Sequence, residues 1–248
     1  MGRIAIASVT LLCLVLSGCA GNTHFDYAEA VTPMARFNDA PPTTSIAILP
    51  FVDVRAMHNS SADVYGSYLW GFVPLLPAGF AGSAYPEKLP RFVSLDNFEF
   101  MPEEDLTGAA HRSLAYSGLF NTAVRADSIE AANTDWVLRG MLTQTGYSGS
   151  CISYCVTYVF SPVFWALGAP YAASANELTL DFQLIDRRDS SIAWSHSYHG
   201  RETKVQWLYS GLGEDASMYA ELVRRAINSA LFDLSKQLPS LIQNRPGK

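Results

Sequence analysis

The sequence predicts an α+β fold: a mixed or antiparallel sheet with two main helices on one face, plus two apolar insertions. Three observations carry this. Leu178, Leu180, Phe182 and Leu184 alternate with Thr179, Asp181 and Gln183, the period of a strand with one buried face. Two later-described stretches repeat apolar residues at helical spacing. The order is strand, helix, strand, hairpin, helix, which places the helices together on one side of a single sheet.

The chain begins with one positive charge, Arg3, followed by the apolar or small run Ile4–Leu16. Its length suits a signal-peptide core and falls short of a spanning helix. Leu16-Ser17-Gly18-Cys19 follows directly and resembles the lipobox of bacterial lipoproteins. That resemblance implies a signal peptide over 1–18, cleavage before Cys19, and acylation (palmitate among the chains) of its thiol and new amino group. Ala20 in place of Asp implies transport to the outer membrane, with the protein on its periplasmic face. The alternative is an ordinary secretory signal with a chance cysteine. The formal net charge of −6 becomes −7 when Arg3 leaves, and no Lys/Arg-rich run is present, which argues against a nucleic-acid partner.

Residues 19–44 lack a clear period and contain Pro33, Pro41 and Pro42, so they read as a lipidated flexible tether with a typical reach of roughly 25–30 Å. A single periplasmic domain is expected over 45–238, with a C-terminal tail at 239–248. In Thr44–Val54, Ile46 and Ile48 alternate with Ala47, Leu49 and Phe51; both faces are apolar, as in a buried central strand ending near Pro50. Val64–Pro86 carries no charge but three prolines and four glycines, and reads as the first insertion, at about 64–86.

Met101–Phe120 is a helix with readable ends. Pro102 suits the first turn, Glu103, Glu104 and Asp105 suit the positive end of the dipole, and Gly118 caps the C-terminus. Leu106, Ala109, Ala110, Ser113 and Leu114 form its inward stripe. A short strand in Phe120–Ala126 and a longer one in Thr134–Ser148 follow. The latter leads into a second uncharged stretch, Gly140–Asn176, whose core at about 146–175 reads as the second insertion. Glu177–Asp186 is the alternating strand, Asp186–Ser191 a turn, and Ser191–His199 the returning strand. In the last helix Tyr219, Leu222, Val223, Ala226, Ile227, Ala230, Leu231 and Leu234 face inward, with Asp215 as N-cap and Pro239 as stop.

The segments "SIAILPFVD", "YSGLF", "TDWVLRG" and "LTLDFQLIDRRDSSIAWS", in that order, resemble periplasmic lipoproteins with the TolB N-terminal-like fold, a group that includes the CsgG-like curli secretion channel. The resemblance spans about 45–238 without the insertions. The glycine usual in the hairpin turn is replaced here by Asp189-Ser190-Ser191. The resemblance implies no enzymatic activity, protein partners in the envelope, and often ring-shaped homo-oligomers. It supplies no catalytic residues.

Side-chain chemistry points the same way. His196 and His199 lie three apart on a strand and face opposite sides, so they cannot share a metal; His196 shares the face of Ile192 and Trp194 as a buried structural histidine. No cofactor is expected beyond the acyl chains on Cys19. Cys151 and Cys155 are the remaining cysteines. On a strand they would sit about 13 Å apart, beyond the roughly 4.4–6.8 Å of disulfide Cα atoms, so a bond between them needs a turn or helical backbone. A structural disulfide is the first reading, with free thiols and a redox pair as alternatives.

The insertions supply the candidate interface or membrane-contact residues. They are Tyr68, Leu69, Trp70, Phe72, Leu75, Leu76 and Phe80 in the first, and Tyr158, Phe160, Phe164, Trp165 and Tyr171 in the second. Three roles stay open: packing on each other, an interface with like or unlike subunits, or contact with the membrane. The functional reading is a non-enzymatic scaffold or accessory lipoprotein in envelope assembly or secretion. An export-pore subunit and a binding module for an apolar ligand are the alternatives.

Overall fold

The computed structural model describes residues 23–24, 36–38, 42–56, 77–88, 98–152, 161–207, 209–210 and 218–244. Its strands are β1 (Thr23–His24), β2 (Ser45–Ile48), β3 (Val52–Asp53), β4 (Pro77–Ser83), β5 (Phe98–Glu99), β6 (Thr122–Arg125), β7 (Trp136–Ile152), β8 (Pro170–Asp186) and β9 (Ser191–Trp207). Its helices are α1 (Pro102–Ser117), α2 (Ser161–Ala166) and α3 (Met218–Gln243). The main sheet runs β6-β2-β7-β8-β9. β2 is parallel to both neighbours, with Ile46 opposite Ala123 and Trp136, while β7, β8 and β9 form an antiparallel meander. The sheet is therefore mixed and the fold α+β, as the residue pattern predicts.

β2 is central because both its faces are covered. Ile46 and Ile48 join the helix-side core with Leu106, Leu114, Leu180, Phe182, Leu222 and Leu234. Ala47 packs on the opposite side with Ala132, Val137 and Ile185. The phase changes after Pro50. Phe51 was expected on the face of Ala47, but it is buried on the helix side, edge-on to Phe182 at 5.9 Å. Pro50 cannot donate to the ladder, so β2 stops at Ile48 and β3 resumes the pairing with β7 at Met141. Gly140 makes room for the ring: a Cβ there would lie 2.1 Å from Phe51 Cε1.

α1 starts at Pro102 and ends at Gly118 in the left-handed conformation, φ 70°, with all five inward-stripe residues buried. The β8–β9 turn shows how the missing glycine is replaced. Ser190 takes φ 58°, its N–H donates to Asp186 O at 2.8 Å, and Asp189 Oδ1 accepts from Ser191 N at 2.9 Å. A short polar side chain that supports the turn tolerates this conformation.

Several boundaries differ from expectation. Residues 146–152 and 170–175, set aside as insertion, are paired strand: Tyr147 faces Asn176 and Cys151 faces Ala172. Small, uncharged side chains on both faces give no hydropathy contrast, so the alternation was invisible. Residues 77–83, within the first expected insertion, form β4 against the far half of β7. Within the expected tether, Thr23–His24 pairs with Phe98–Glu99, and Phe37 N donates to Ser117 O at 2.9 Å. The last helix does not stop at Pro239 but continues to Gln243. Leu238 is buried and Leu241 and Ile242 pack on the core, which offsets the hydrogen bond Pro239 cannot make. Finally, Ile192 does not share the inward face of Trp194. A register shift between Leu184 and Ile185 leaves it 57% exposed.

Candidate interaction surface at the end of the sheet

β7, β8 and β9 each have 17 residues, about 55 Å of strand. One half is the sheet of the body. The other half is a ribbon joined by β4. The first turn of α3 meets β7 where the ribbon starts: Tyr219 OH donates to Gly146 O, and its ring stacks on Phe100 at 6.3 Å. Burial pushes the Tyr219 phenol well above its ordinary pKa, so it stays a donor.

A buried ionic cluster fixes the same junction. The Arg55 guanidinium donates to Asp53 (2.9 and 2.7 Å), to Glu87 Oε1 (2.7 Å) and to Thr145 Oγ1 (2.7 Å), and lies 4.4 Å above the Tyr85 ring. Only 4% of its side chain is exposed. Burial opposes its charge, but hydrogen bonds and attraction from Asp53 and Glu87 outweigh burial and move its pKa up. Thr145 Oγ1 in turn donates to Ala84 O at 2.7 Å, and Tyr85 OH to Ala56 O at 2.6 Å. The 52–56 and 84–88 segments are thus tied to β7 and to each other.

Beyond the junction the helix-side face of β8 changes from Leu178 to the buried Asn176, Ser174 and Ala172. At the far end, α2 bridges β7 and β8. Trp165 Nε1 donates to Ile152 O at 3.1 Å, and its ring meets Tyr171 edge-on at 6.1 Å. Tyr171 OH donates to Gln206 Oε1, and Tyr209 OH to Ala166 O at 2.7 Å. Phe164, Trp165 and Tyr171, three of the residues singled out in the sequence, are therefore gathered at one tip. The tip also exposes Val163, Leu167, Trp207 and Tyr209, which the sequence reading missed. For Trp207 and Tyr209 the signal was the uncharged run Val205–Gly213, directly after Lys204; Val163 and Leu167 lie within the uncharged stretch Gly140–Asn176.

Cys19, Tyr68, Leu69, Trp70, Phe72, Leu75, Leu76, Cys155, Tyr158 and Phe160 lie outside the described residues. Cys151 and Phe80 are placed by backbone only, opposite Ala172 and Ser150.

Two further features bear on chemistry. β9 has no strand on its outer side among the described residues; of its charged residues, Arg201 pairs with Glu177 of β8 at 3.1 Å and Glu202 with Arg225 of α3. His196 and His199 face opposite ways, as expected. His196 stacks on Trp194 and reaches Ser229 Oγ at 3.1 Å and Asp233 Oδ2 at 3.8 Å; His199 meets Thr179 Oγ1 at 2.9 Å. Asp233 also accepts from Trp194 Nε1 at 2.8 Å and from Gln237 Nε2 at 2.9 Å. The Ser229-His196-Asp233 order is that of a nucleophile relay. Yet Ser229 sits inside α3, where backbone N–H groups are spent on helix hydrogen bonds and cannot serve an oxyanion. The group fastens β9 to α3. Among the described residues no three His, Cys, Asp or Glu side chains could hold a metal, and no helix is long and apolar enough to cross a membrane.

No protein-family model and no curated protein matches the chain. Solved structures similar to it include a Xanthomonas campestris protein of family model DUF330, at 13% identity and a TM-score of 0.39, covering 86% of this chain and 94% of that one. The PelC dodecamer of Paraburkholderia phytofirmans gives 14% and 0.34, covering 79% and 92%. Lipoprotein GNA1162 of Neisseria meningitidis gives 18% and 0.25, covering 75% and 100%. Similarity at this level carries no argument about family or activity.

Proposed function

We propose that the protein is a non-enzymatic lipoprotein of the outer membrane, held on its periplasmic face by acyl chains on Cys19, that serves as a scaffold or accessory subunit in envelope assembly or secretion. The anchor rests on Leu16–Cys19 directly behind a short apolar core. One observation carries the scaffold reading. The far half of the sheet forms a ribbon whose outer strand, β9, has no further strand beside it among the described residues. An open strand edge offers main-chain hydrogen bonds to an extended segment of another protein, and its charges select which one. Envelope proteins, or further copies of this chain, are the partners this surface fits. The resemblance to TolB-like and CsgG-like lipoproteins belongs to the same reading.

Two measurements test it. Palmitate labelling should be lost in Cys19→Ser; unchanged labelling overturns the anchor. Photo-crosslinkers at outward positions of β9, such as Ser195 and Ser197, should yield discrete protein adducts in intact cells. Adducts no more abundant than from the exposed Tyr116 of α1 overturn the scaffold role.

A further inference from the structure

We propose that the ribbon tip is a membrane-contact site, seated in the lipid–water interface of the bilayer that holds the Cys19 acyl chains; the identity of that bilayer rests on the lipoprotein reading above. The tip exposes Leu167 (79%), Tyr209 (73%), Val163 (53%), Trp207 (39%) and Phe164 (37%). No charged residue occurs from Gly140 to Asn176. A protein interface of this size carries a polar rim. Tryptophan and tyrosine beside aliphatic side chains, with no charge, match the composition that settles at the headgroup level. Two donors of the tip are already occupied: Trp165 Nε1 by Ile152 O and Tyr209 OH by Ala166 O. Those two rings can therefore enter an apolar layer without stranding a donor.

The chain path brings the anchor within reach. Cys19 is four residues before Thr23, a span of at most about 14 Å. Thr23 lies opposite Phe98, two residues before Phe100, whose ring stacks on Tyr219 at the ribbon's start. From Gly146 to Ile152 the ribbon extends about 20 Å more. The anchor's reach falls about 6 Å short of the ribbon's length, so acyl chains and tip meet one bilayer when the ribbon leans toward it, which gives two points of attachment and a fixed tilt in place of a free tether.

The test uses vesicles of phosphatidylethanolamine and phosphatidylglycerol. With the acylated protein reconstituted, brominated lipids should quench fluorescence from Trp207, and Leu167→Asp or Phe164→Asp should abolish that quenching while the protein stays vesicle-bound. The chain carrying Cys19→Ser should still float with vesicles, and Leu167→Asp should reduce flotation at least tenfold. Both positions are exposed, and thermal unfolding checks that the variants remain folded. Quenching and flotation that ignore the substitutions overturn the proposal. So does a self-associated species in solution that Leu167→Asp dissolves, which would make a second copy the occupant. Flotation lost on Leu167→Asp supports the tip even if Cys19 takes no palmitate, so the two readings fail separately.

Discussion

Gly140→Ala should destabilise the protein by about 2–4 kcal/mol, although alanine is intrinsically better than glycine inside a strand. The new Cβ would sit 2.1, 2.3 and 2.4 Å from Cε1, Cζ and Cδ1 of Phe51. Carbon atoms rest at about 3.5–4.0 Å, so the whole ring must retreat by more than about 1 Å. It has nowhere to go. Phe51 is 1% exposed and its other side meets the Phe182 ring. Overpacking of this kind costs about 1–3 kcal/mol, and partial expulsion of a buried phenylalanine adds to it. Phe51→Ala alone should cost about 3–5 kcal/mol by leaving a cavity. The double variant removes the clash, so its cost should fall close to that of Phe51→Ala alone. Urea denaturation of the four proteins gives the cycle directly. Costs that simply add, within about 0.5 kcal/mol, would refute the packing of Phe51 onto Gly140.

Arg55→Met should cost about 3–5 kcal/mol, because it strands Asp53 and Glu87 beside a buried hydroxyl; amide exchange of β4 and of the far half of β7 should rise with it. Gly118→Ala combines a positive φ with a Cβ 2.1 Å from Asn38 O, and should lower stability by about 2–3 kcal/mol in chemical denaturation. Burial pushes the Glu221 carboxyl up, but hydrogen bonds from Arg224 and Arg225 outweigh it and hold its pKa below the ordinary glutamate value. A depressed carboxylate stabilises above its unfolded pKa and loses that benefit as pH falls through the folded one. Glu221→Gln should therefore cost under about 1 kcal/mol at pH 7, and the gap from wild type should narrow as pH falls below the ordinary glutamate pKa in a pH series of melts.

The body was legible because its elements announce themselves by contrast. Leu178–Leu184 alternates against polar neighbours, α1 carries acidic residues at one end and a glycine at the other, and α3 repeats over many turns. β2 was readable as central because Ile46 and Ala47 leave neither face polar. The ribbon was not legible. In residues 146–152 and 170–175 both faces hold small or uncharged residues, so a strand there looks like an irregular insertion. The bulge before Ile185 turned Ile192 outward, and no local pattern marks such a shift. At the tip, Phe164, Trp165 and Tyr171 stood out as aromatics without charge. Trp207 and Tyr209 escaped notice because they join that tip only through the pairing of β9 with β8. Arg55 was missed for the same reason: its partners Glu87 and Thr145 are far away in sequence and meet it only once β7 is in place.

The parallel placement of β2 sets a timetable for the chain as it is made. Ser45 must find Asp135, ninety residues later, before the strand has a neighbour on that side. At typical synthesis rates of about 5–20 residues per second, roughly 5–18 s pass before Trp136–Leu138 can pair with Ile46–Ile48. The meander that follows can zip up from adjacent segments in a fraction of that time. Yield of the protein should then be governed by how long the middle of the sheet stays empty, and substitutions that delay β7 will show first as aggregates rather than as a less stable product.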